Sequence, residues 1–454
     1  MFLNINKTSS KTSATLRNRH LKFQHMLIVL CALFYTPSAS AASITSALGT
    51  FCLNLRLKAP ELMRGDIAED LPKHITIPLG WRSVSKNENR RGPARLVELT
   101  YELENLNLLE INAVFYQSGL RGLRGIISSS KLPNQLINFA PSCAIIETRE
   151  INYKSNGHIT DIRILKPDGT ETTIPINPSP PKRPQRLPKE NGPVIGHIDS
   201  GIDYLRPEII QHLGFDSNQT MIGIDAWEGD DLPFDANFTG SAFYPQHHGS
   251  FVVDVLIQTG VDFTLLPARY PRNNMNLMSD VIKWMAIYGA QIVMLPLGSK
   301  DSADWDEFFK AAAAHPEILF IISAGNDGLD IGNTNIYPAV NNLPNALTVT
   351  STLKNGEIAN GSNYGTNVDI GLPAENLLAT GVGGKTATKS GSSFAVPKLT
   401  AFAACTIGGA KEQLLTGEML ANKIKAELQQ SEYIGKYFYF LSDEKITEKC
   451  AGKL

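Results

Sequence analysis

Beyond position 193 the chain is built from short, largely apolar runs, at residues 194–198, 263–266, 292–295, 318–322 and 346–349, set apart by longer stretches of helical character. Runs this short and this apolar have no polar face to offer water, so each must be covered on both sides. Strands that alternate with helices meet that demand as a mainly parallel sheet covered by helices, an α/β architecture. One covering helix is visible in Val281, Trp284, Met285 and Tyr288, which recur at helical spacing and read as core rather than as a binding stripe. Another runs through Phe308 and the following alanines to His315, with Asp301 or Ser302 placed to cap it.

Residues 177–193 read NPSPPKRPQRLPKENGP, where six prolines block regular hydrogen bonding and four cations keep the segment in water. This predicts a linker between a smaller domain at 42–176 and a larger one at 194–454. The cues in the smaller domain point to a β-rich or α+β fold. Asn156-Gly157 and Asp168-Gly169 are turn dipeptides, and Ile159, Ile162 and Ile164 lie between them, as in a hairpin or meander. Residues 96–115 fit two periods: Leu96, Leu99, Leu103 and Leu106 trace a helical face, whereas Val97, Leu99, Tyr101 and Leu103 alternate as in a strand.

Lys7, Lys11, Arg17, Arg19 and Lys22 precede every acidic residue, an apolar run follows at 26–35, and Ala39-Ser40-Ala41 supplies a small-residue cleavage site. The pattern predicts a signal peptide over residues 1–41 and a secreted or periplasmic mature chain, with an N-terminal anchor as the alternative. The run is too short for a stable membrane span. Loss of those five cations takes the net charge from −2 to −7, which argues against a nucleic-acid partner. Cys52, Cys143, Cys405 and Cys450 remain, an even number with three ways to pair, although Cys405 also fits a small buried hydrophobe. No CxxC spacing suggests zinc.

Four short segments carry chemistry. Asp199 follows the first apolar run directly, in VIGHIDSGID, and so stands at a strand's carboxyl end, where open parallel sheets build their sites. His248 lies in HHGSFVVDVL, with a glycine to turn the backbone and a helix beginning at the imidazole. Ser393 lies in GSSFAVP, at the start of a helix whose first turn tolerates proline and whose free N–H groups favour developing negative charge. Asn326 lies in AGNDG after another strand and carries an amide donor. Taken singly, each is a weak signal: a lone Asp at a strand end says little, and the others read as a surface His, an N-cap Ser and a turn Asn.

In their order and surroundings, the four resemble the motifs of the subtilisin family. Asp199-Ser200-Gly201 is similar to its DSG, His248-Gly249-Ser250 to its HGT, Ser323 to Asn326 to its AAGN, and Gly391 to Pro397 to its GTSMAxP. GDDLPFD before the histidine and NYGTNVDIGLPAENLLAT before the serine resemble the family's connecting segments, so the likeness covers about residues 192–409. It implies a subtilisin-like catalytic domain that hydrolyses peptide or protein substrates as a serine endopeptidase. Asp199, His248 and Ser393 would form its triad, and Asn326 its oxyanion donor. It also implies an N-terminal segment that assists folding and blocks the cleft, a role open to residues 42–176. No cofactor is needed, although Asp230, Asp231 and Asp235 place ligands for a structural calcium in one loop, if they are not simply a solvated acidic turn.

Three departures stand out. Asp254 occupies a helix position where the family carries glycine. Leu295-Pro296-Leu297-Gly298 matches the segment that pairs with extended substrate, where proline keeps the carbonyl but removes the N–H donor. Arg269, Tyr270 and Pro271 stand where relatives present a glycine-containing edge strand. The altered substrate strand is the ground for an alternative function, a catalytically silent subtilisin fold that binds a peptide or partner protein. His247 lacks the following glycine and is expected to be exposed.

Overall fold

The structure, a computed structural model, describes residues 41–103, 107–117, 119–184, 192–272, 274–409, 415–433 and 436–452. The expected signal peptide lies outside the described residues except for Ala41, as does the middle of the expected linker, residues 185–191.

Two helices open the described chain, α1 (Ala41–Leu62) and α2 (Ile67–His74), and Asp66 caps α2 by accepting the Glu69 N–H at 3.0 Å. Eight strands follow: β1 (Arg82–Arg91), β2 (Ala94–Glu102), β3 (Leu108–Tyr116), β4 (Gly119–Ser129), β5 (Leu132–Phe139), β6 (Ile145–Tyr153), β7 (Ile159–Leu165) and β8 (Glu171–Pro175). Each pairs antiparallel with the next, forming one meander. The 96–115 segment is therefore β2 and β3, and the alternation of Val97, Leu99 and Tyr101, all buried, prevailed over the helical period. Gly157 and Gly169 take left-handed φ of 86° and 84° in the turns of the last two hairpins, as their dipeptides predict.

α1 lays Leu48, Phe51, Cys52, Leu55, Ala59 and Leu62 on this sheet. Gly125 of β4 makes room for it, since a Cβ there would come within 2.7 Å of the Leu48 side chain. Cys52 and Cys143 are joined in a disulfide across a separation of 91 residues, which ties α1 to the connection between β5 and β6. Closing a loop of that length stabilises the domain by about 4–5 kcal/mol in chain-entropy terms.

Beyond residue 193 the chain forms β9 (Val194–Asp199), α3 (Pro207–Ile210), β10 (Ile224–Asp225), α4 (Gly249–Gln258), β11 (Thr264–Arg269), α5 (Met278–Ile287), β12 (Ile292–Leu295), α6 (Asp306–Ala314), β13 (Leu319–Ser323) and β14 (Ala346–Thr352). It continues with β15 (Ile370–Pro373), the hairpin β16 (Leu377–Thr380) and β17 (Thr386–Lys389), α7 (Ser392–Gly409), α8 (Gly417–Ala426), β18 (Gln429–Tyr433), β19 (Lys436–Phe440) and α9 (Asp443–Cys450). The main sheet runs β10-β11-β9-β12-β13-β14-β15-β19-β18 and is parallel except where β18 meets β19.

Both faces are covered, as the apolar runs require. On one side Ile195, Ile321 and Val349 pack with α4, α7 and α8; on the other Ile198, Phe320 and Ile322 pack with α5 and α6. Each such large aliphatic or aromatic side chain contributes about 1.5–3 kcal/mol on burial. Val281 and Met285 of α5 are core as expected, whereas Tyr288 is exposed just beyond the helix. The expected cap of α6 is not formed: Trp305 stands at its N-cap without a side-chain capping bond, Ser302 makes none at the preceding 3₁₀ turn, and Asp301 accepts the Ala303 N–H at 3.0 Å in a local turn before it. Cys405 is not a free buried hydrophobe, since it bonds Cys450 and ties α7 to α9.

Candidate active site

β9 lies between β11 and β12, so Asp199 at its end stands over the carboxyl edge of the sheet's central strands. The next residue, Ser200, donates its backbone N–H to Asp199 Oδ1 at 2.6 Å. His248 precedes the first residue of α4 and brings Nδ1 to 2.7 Å from Asp199 Oδ2 and 2.9 Å from Oδ1. Gly249 is required at this junction, because a Cβ there would lie 2.1 Å from the Gly201 carbonyl oxygen.

A fourth group fixes the histidine. Asp235 is fully buried; its Oδ1 accepts the Ser200 hydroxyl at 2.6 Å and the His248 N–H at 3.1 Å, and its Oδ2 accepts the Ser250 N–H at 2.8 Å. Of the three aspartates Asp230, Asp231 and Asp235, read as calcium ligands or a solvated acidic turn, Asp235 is drawn into this network. Asp235 is committed to the histidine helix, Asp230 accepts the Leu232 N–H at 2.9 Å, and no three described His, Cys, Asp or Glu residues are placed to hold a metal.

The charges are coupled. Burial works against ionised Asp199, yet the adjacent His248 charge and hydrogen bond outweigh it and hold the carboxyl below its ordinary value of 3.8. Burial likewise opposes the His248 cation, and the Asp199 charge and hydrogen bond overcome it, holding the imidazole above 6.5.

Ser393 lies in the first turn of α7, with its ring-bearing neighbour Phe394 centred 5.7 Å from the His248 ring. The Ser393 hydroxyl donates to the Pro296 carbonyl at 3.1 Å; no hydrogen bond joins it to His248 among the described residues. Ser392 is wholly buried and wired elsewhere, with its Oγ 2.7 Å from Ser323 Oγ and 3.0 Å from Asn326 Oδ1. Asn326 Oδ1 also accepts the Ser392 backbone N–H at 2.8 Å. Because a backbone N–H must face an oxygen, this orients the amide and leaves Nδ2 as the donor beside the start of α7. Gly391 permits the approach, since a Cβ there would sit within 3.1 Å of three Asn326 side-chain atoms.

A cleft of about 550 Å³ opens beside Asp199 and His248, with Tyr270, Pro296, Leu297, Gly298 and Trp305 among its walls. Ser393 and Asn326 are not part of that lining; Ser393 reaches it through the Pro296 carbonyl. Of the expected substrate-binding segment, Pro296, Leu297 and Gly298 face the cleft, whereas the Leu295 side chain is fully buried in the core, because it ends β12 with its side chain under the sheet. His247 is half-buried rather than exposed, because its Nδ1 is held 2.6 Å from the Asp235 carbonyl.

The remaining departures have partners. Asp254 meets Arg206 at 2.6 Å, Gln258 at 2.7 Å and the Thr380 N–H at 2.9 Å, tying α4 to β16. Both members of the ion pair are almost wholly buried, and either one alone would be an uncompensated charge costing about 3–5 kcal/mol. Arg269 is also fully buried, 2.9 Å from Asp225 Oδ2 and stacked 4.6 Å from the Trp227 ring centre.

The chain is similar to several known proteins. The thermophilic serine proteinase of Bacillus sp. (strain AK1) is 26% identical over 228 residues, covering 47% of this chain and 52% of its own length. Alkaline protease 1 of Aspergillus clavatus is 40% identical over 93 residues, covering 20% of this chain and 22% of its own length. The matched stretch thus spans between about a fifth and a half of these curated relatives. A cold-adapted subtilisin-like serine proteinase of known structure is 18% identical, covers 59% of this chain and 94% of its own, and superposes with a TM-score of 0.44. The Subtilase family profile matches residues 190–436, more than half of the 454-residue chain and the whole of the site described above, and the chain belongs to that family.

Proposed function

We propose that this chain is a secreted or periplasmic serine endopeptidase in which Ser393 attacks the peptide carbonyl, His248 takes and returns the proton, and Asp199 orients the imidazole. The observation that carries this reading is the Asp199–His248 pair at the sheet edge, with Ser393 at the adjoining helix start and Asn326 anchored by its oxygen so that its N–H₂ is free to donate. A peptide N–H that takes the Pro296 carbonyl displaces the Ser393 hydroxyl toward His248 Nε2. The proton passes to Nε2 as Oγ bonds the carbonyl carbon, and the oxyanion meets Asn326 Nδ2 and the Ser393 N–H. The proton then goes to the leaving amine, and water hydrolyses the acyl-enzyme by the same steps. Two disulfides support an oxidising compartment. Incubation with a diverse peptide library tests the reading: defined internal cuts are expected, and an uncut library contradicts it.

His248 must be neutral to act as base, and Asp199 holds its proton affinity above 6.5. The expected kcat/KM therefore rises with pH to half its plateau at a pH above 6.5. A flat profile from about pH 5 to 9, or a midpoint below the ordinary histidine value, contradicts the assignment.

The reading extends to a folded N-terminal domain at 42–176, joined through 177–193 to the catalytic domain at 194–454. We place this domain beside the cleft as a brace, in preference to an inhibitory plug, and the ground is where its contacts fall. Leu136, Ile151, Ile162 and Ile176 form one apolar cluster with Ala236 and Phe243 of the loop leading to His248. Arg149 donates to the Phe243 carbonyl at 2.9 Å, and the Tyr244 hydroxyl to Glu147 at 2.7 Å. No residue of 41–184 is among the described walls of the cleft. Both disulfides lie within one part or the other, so if the linker is cut, by self-processing or by added protease, only noncovalent contacts such as these hold the pieces together. The two fragments are expected to co-elute on gel filtration with activity retained; separate elution, or activity that appears only after separation, contradicts the brace.

A further inference from the structure

Two residues before Asp199 on β9, and hence on the same face of the sheet, stands a second histidine. His197 has no exposed surface, and neither ring nitrogen has a hydrogen-bond partner among the described residues. Its Nε2 lies 3.7 Å from Asp199 Oδ2, the oxygen that His248 Nδ1 approaches at 2.7 Å. The flanking strands meet this position with Pro267 of β11 and Met294 of β12, neither of them titratable. Above it is the start of α4, where a Cβ on Gly249 would lie 3.1 Å from the same Nε2. A leucine or methionine would fill such a site without the cost of burying two polar nitrogens, so packing alone does not account for an imidazole.

We propose that His197 is a positioning residue that presents a neutral Nε2–H to Asp199 Oδ2, so that two imidazoles share one carboxylate oxygen and the Asp199 side chain is held aimed at His248. The inference rests on the peptidase reading above. The charged or titratable groups facing His197 are Asp199 on its own strand, His248 at the head of α4, and Asp235 in the loop before it. Burial keeps the His197 ring from charging, ahead of the opposing pull of Asp199, so it serves as a dipole and takes up no proton in the cycle. Closing the 3.7 Å contact by a small tilt of the ring makes it a hydrogen bond. That bond would draw off part of the carboxylate charge that His248 otherwise feels.

The test compares His197→Met, which removes the donor, with His197→Gln, whose amide nitrogen reaches the place of Nε2. Both are made in the full chain and assayed on a peptide that the wild type cleaves. His197→Met is expected to lower kcat about 10-fold, the low end for losing a partner one layer behind a functional group, with KM little changed. The midpoint of its kcat/KM profile moves upward, because undiluted Asp199 charge holds the His248 proton more firmly, and His197→Gln recovers most of both. Wild-type kcat and midpoint in His197→Met overturn the proposal. So do equal losses in the two variants with an unmoved midpoint, which mark a packing role. Nitrogen-15 NMR of the wild-type imidazoles gives a readout without catalysis and serves also if His197→Met does not fold. An Nε2–H tautomer whose resonance moves in Asp199→Asn is expected, and an Nδ1–H tautomer overturns the proposal. A wild type that cuts no peptide yet shows that NMR signature removes the peptidase reading and leaves the pairing intact.

Discussion

Ser393→Ala is expected to lower kcat by about 10⁶-fold while leaving the fold in place, the scale seen when a triad nucleophile is removed. The substitution deletes the hydroxyl at the head of α7 that donates to the Pro296 carbonyl, itself part of the cleft wall. Ser392 cannot substitute, because it is fully buried and its hydroxyl is engaged by Ser323, Gly325 and Asn326. The structural loss is one hydrogen bond, worth about 1 kcal/mol, so the melting temperature should move by only a few degrees. Single-turnover and steady-state rates on a cleaved peptide measure the effect. Activity within tenfold of wild type in Ser393→Ala would require a different nucleophile.

Asn326→Ala is expected to lower kcat by about 10²–10³ with KM nearly unchanged, since the donor acts on charge present only in the transition state. Alanine also frees the Ser392 N–H that Asn326 Oδ1 now accepts, so a loss of rate could come from a loosened turn. Asn326→Asp separates the two causes. It keeps an acceptor for Ser392 and replaces the outward N–H₂ with a carboxylate oxygen that repels the oxyanion. Its kcat should fall at least as far as that of alanine, with the stability of the turn preserved. An aspartate variant that turns over like wild type would make Asn326 a turn residue.

The catalytic half of the fold was legible because its strands are buried on both faces and so leave uninterrupted apolar runs, each ending where a strand ends: β9, β12 and β13 fall within one residue of the runs that announced them. The positions of Asp199, His248, Ser393 and Asn326 at strand ends or helix starts were legible for a related reason, as each is marked by a nearby glycine; their catalytic roles are what we propose. α1 was not placed although its stripe of Leu48, Phe51, Cys52, Leu55, Ala59 and Leu62 was present, because the turn and strand cues downstream dominated the reading of the region. Asp254 could not be explained from its own neighbourhood, since Arg206 lies 48 residues away and only the fold brings them together. The place of Asp235 was hidden for the same reason. In sequence it belongs to an acidic loop; in space it caps the helix that carries His248, across a connection that also docks the N-terminal sheet. His197 gave no signal beyond being a polar residue in a buried strand, and its meaning comes from the carboxylate beside it.

The central claim, that Ser393 is a nucleophile activated by His248, is tested most directly by labelling with a fluorophosphonate probe followed by mapping of the modified residue. Labelling of the exported wild-type protein at Ser393 is expected, with loss of the signal in both Ser393→Ala and His248→Ala. Absence of labelling in a folded wild type would contradict the claim and favour a silent subtilisin fold that binds a peptide or partner protein, and labelling that survives in His248→Ala would contradict the proposed activation.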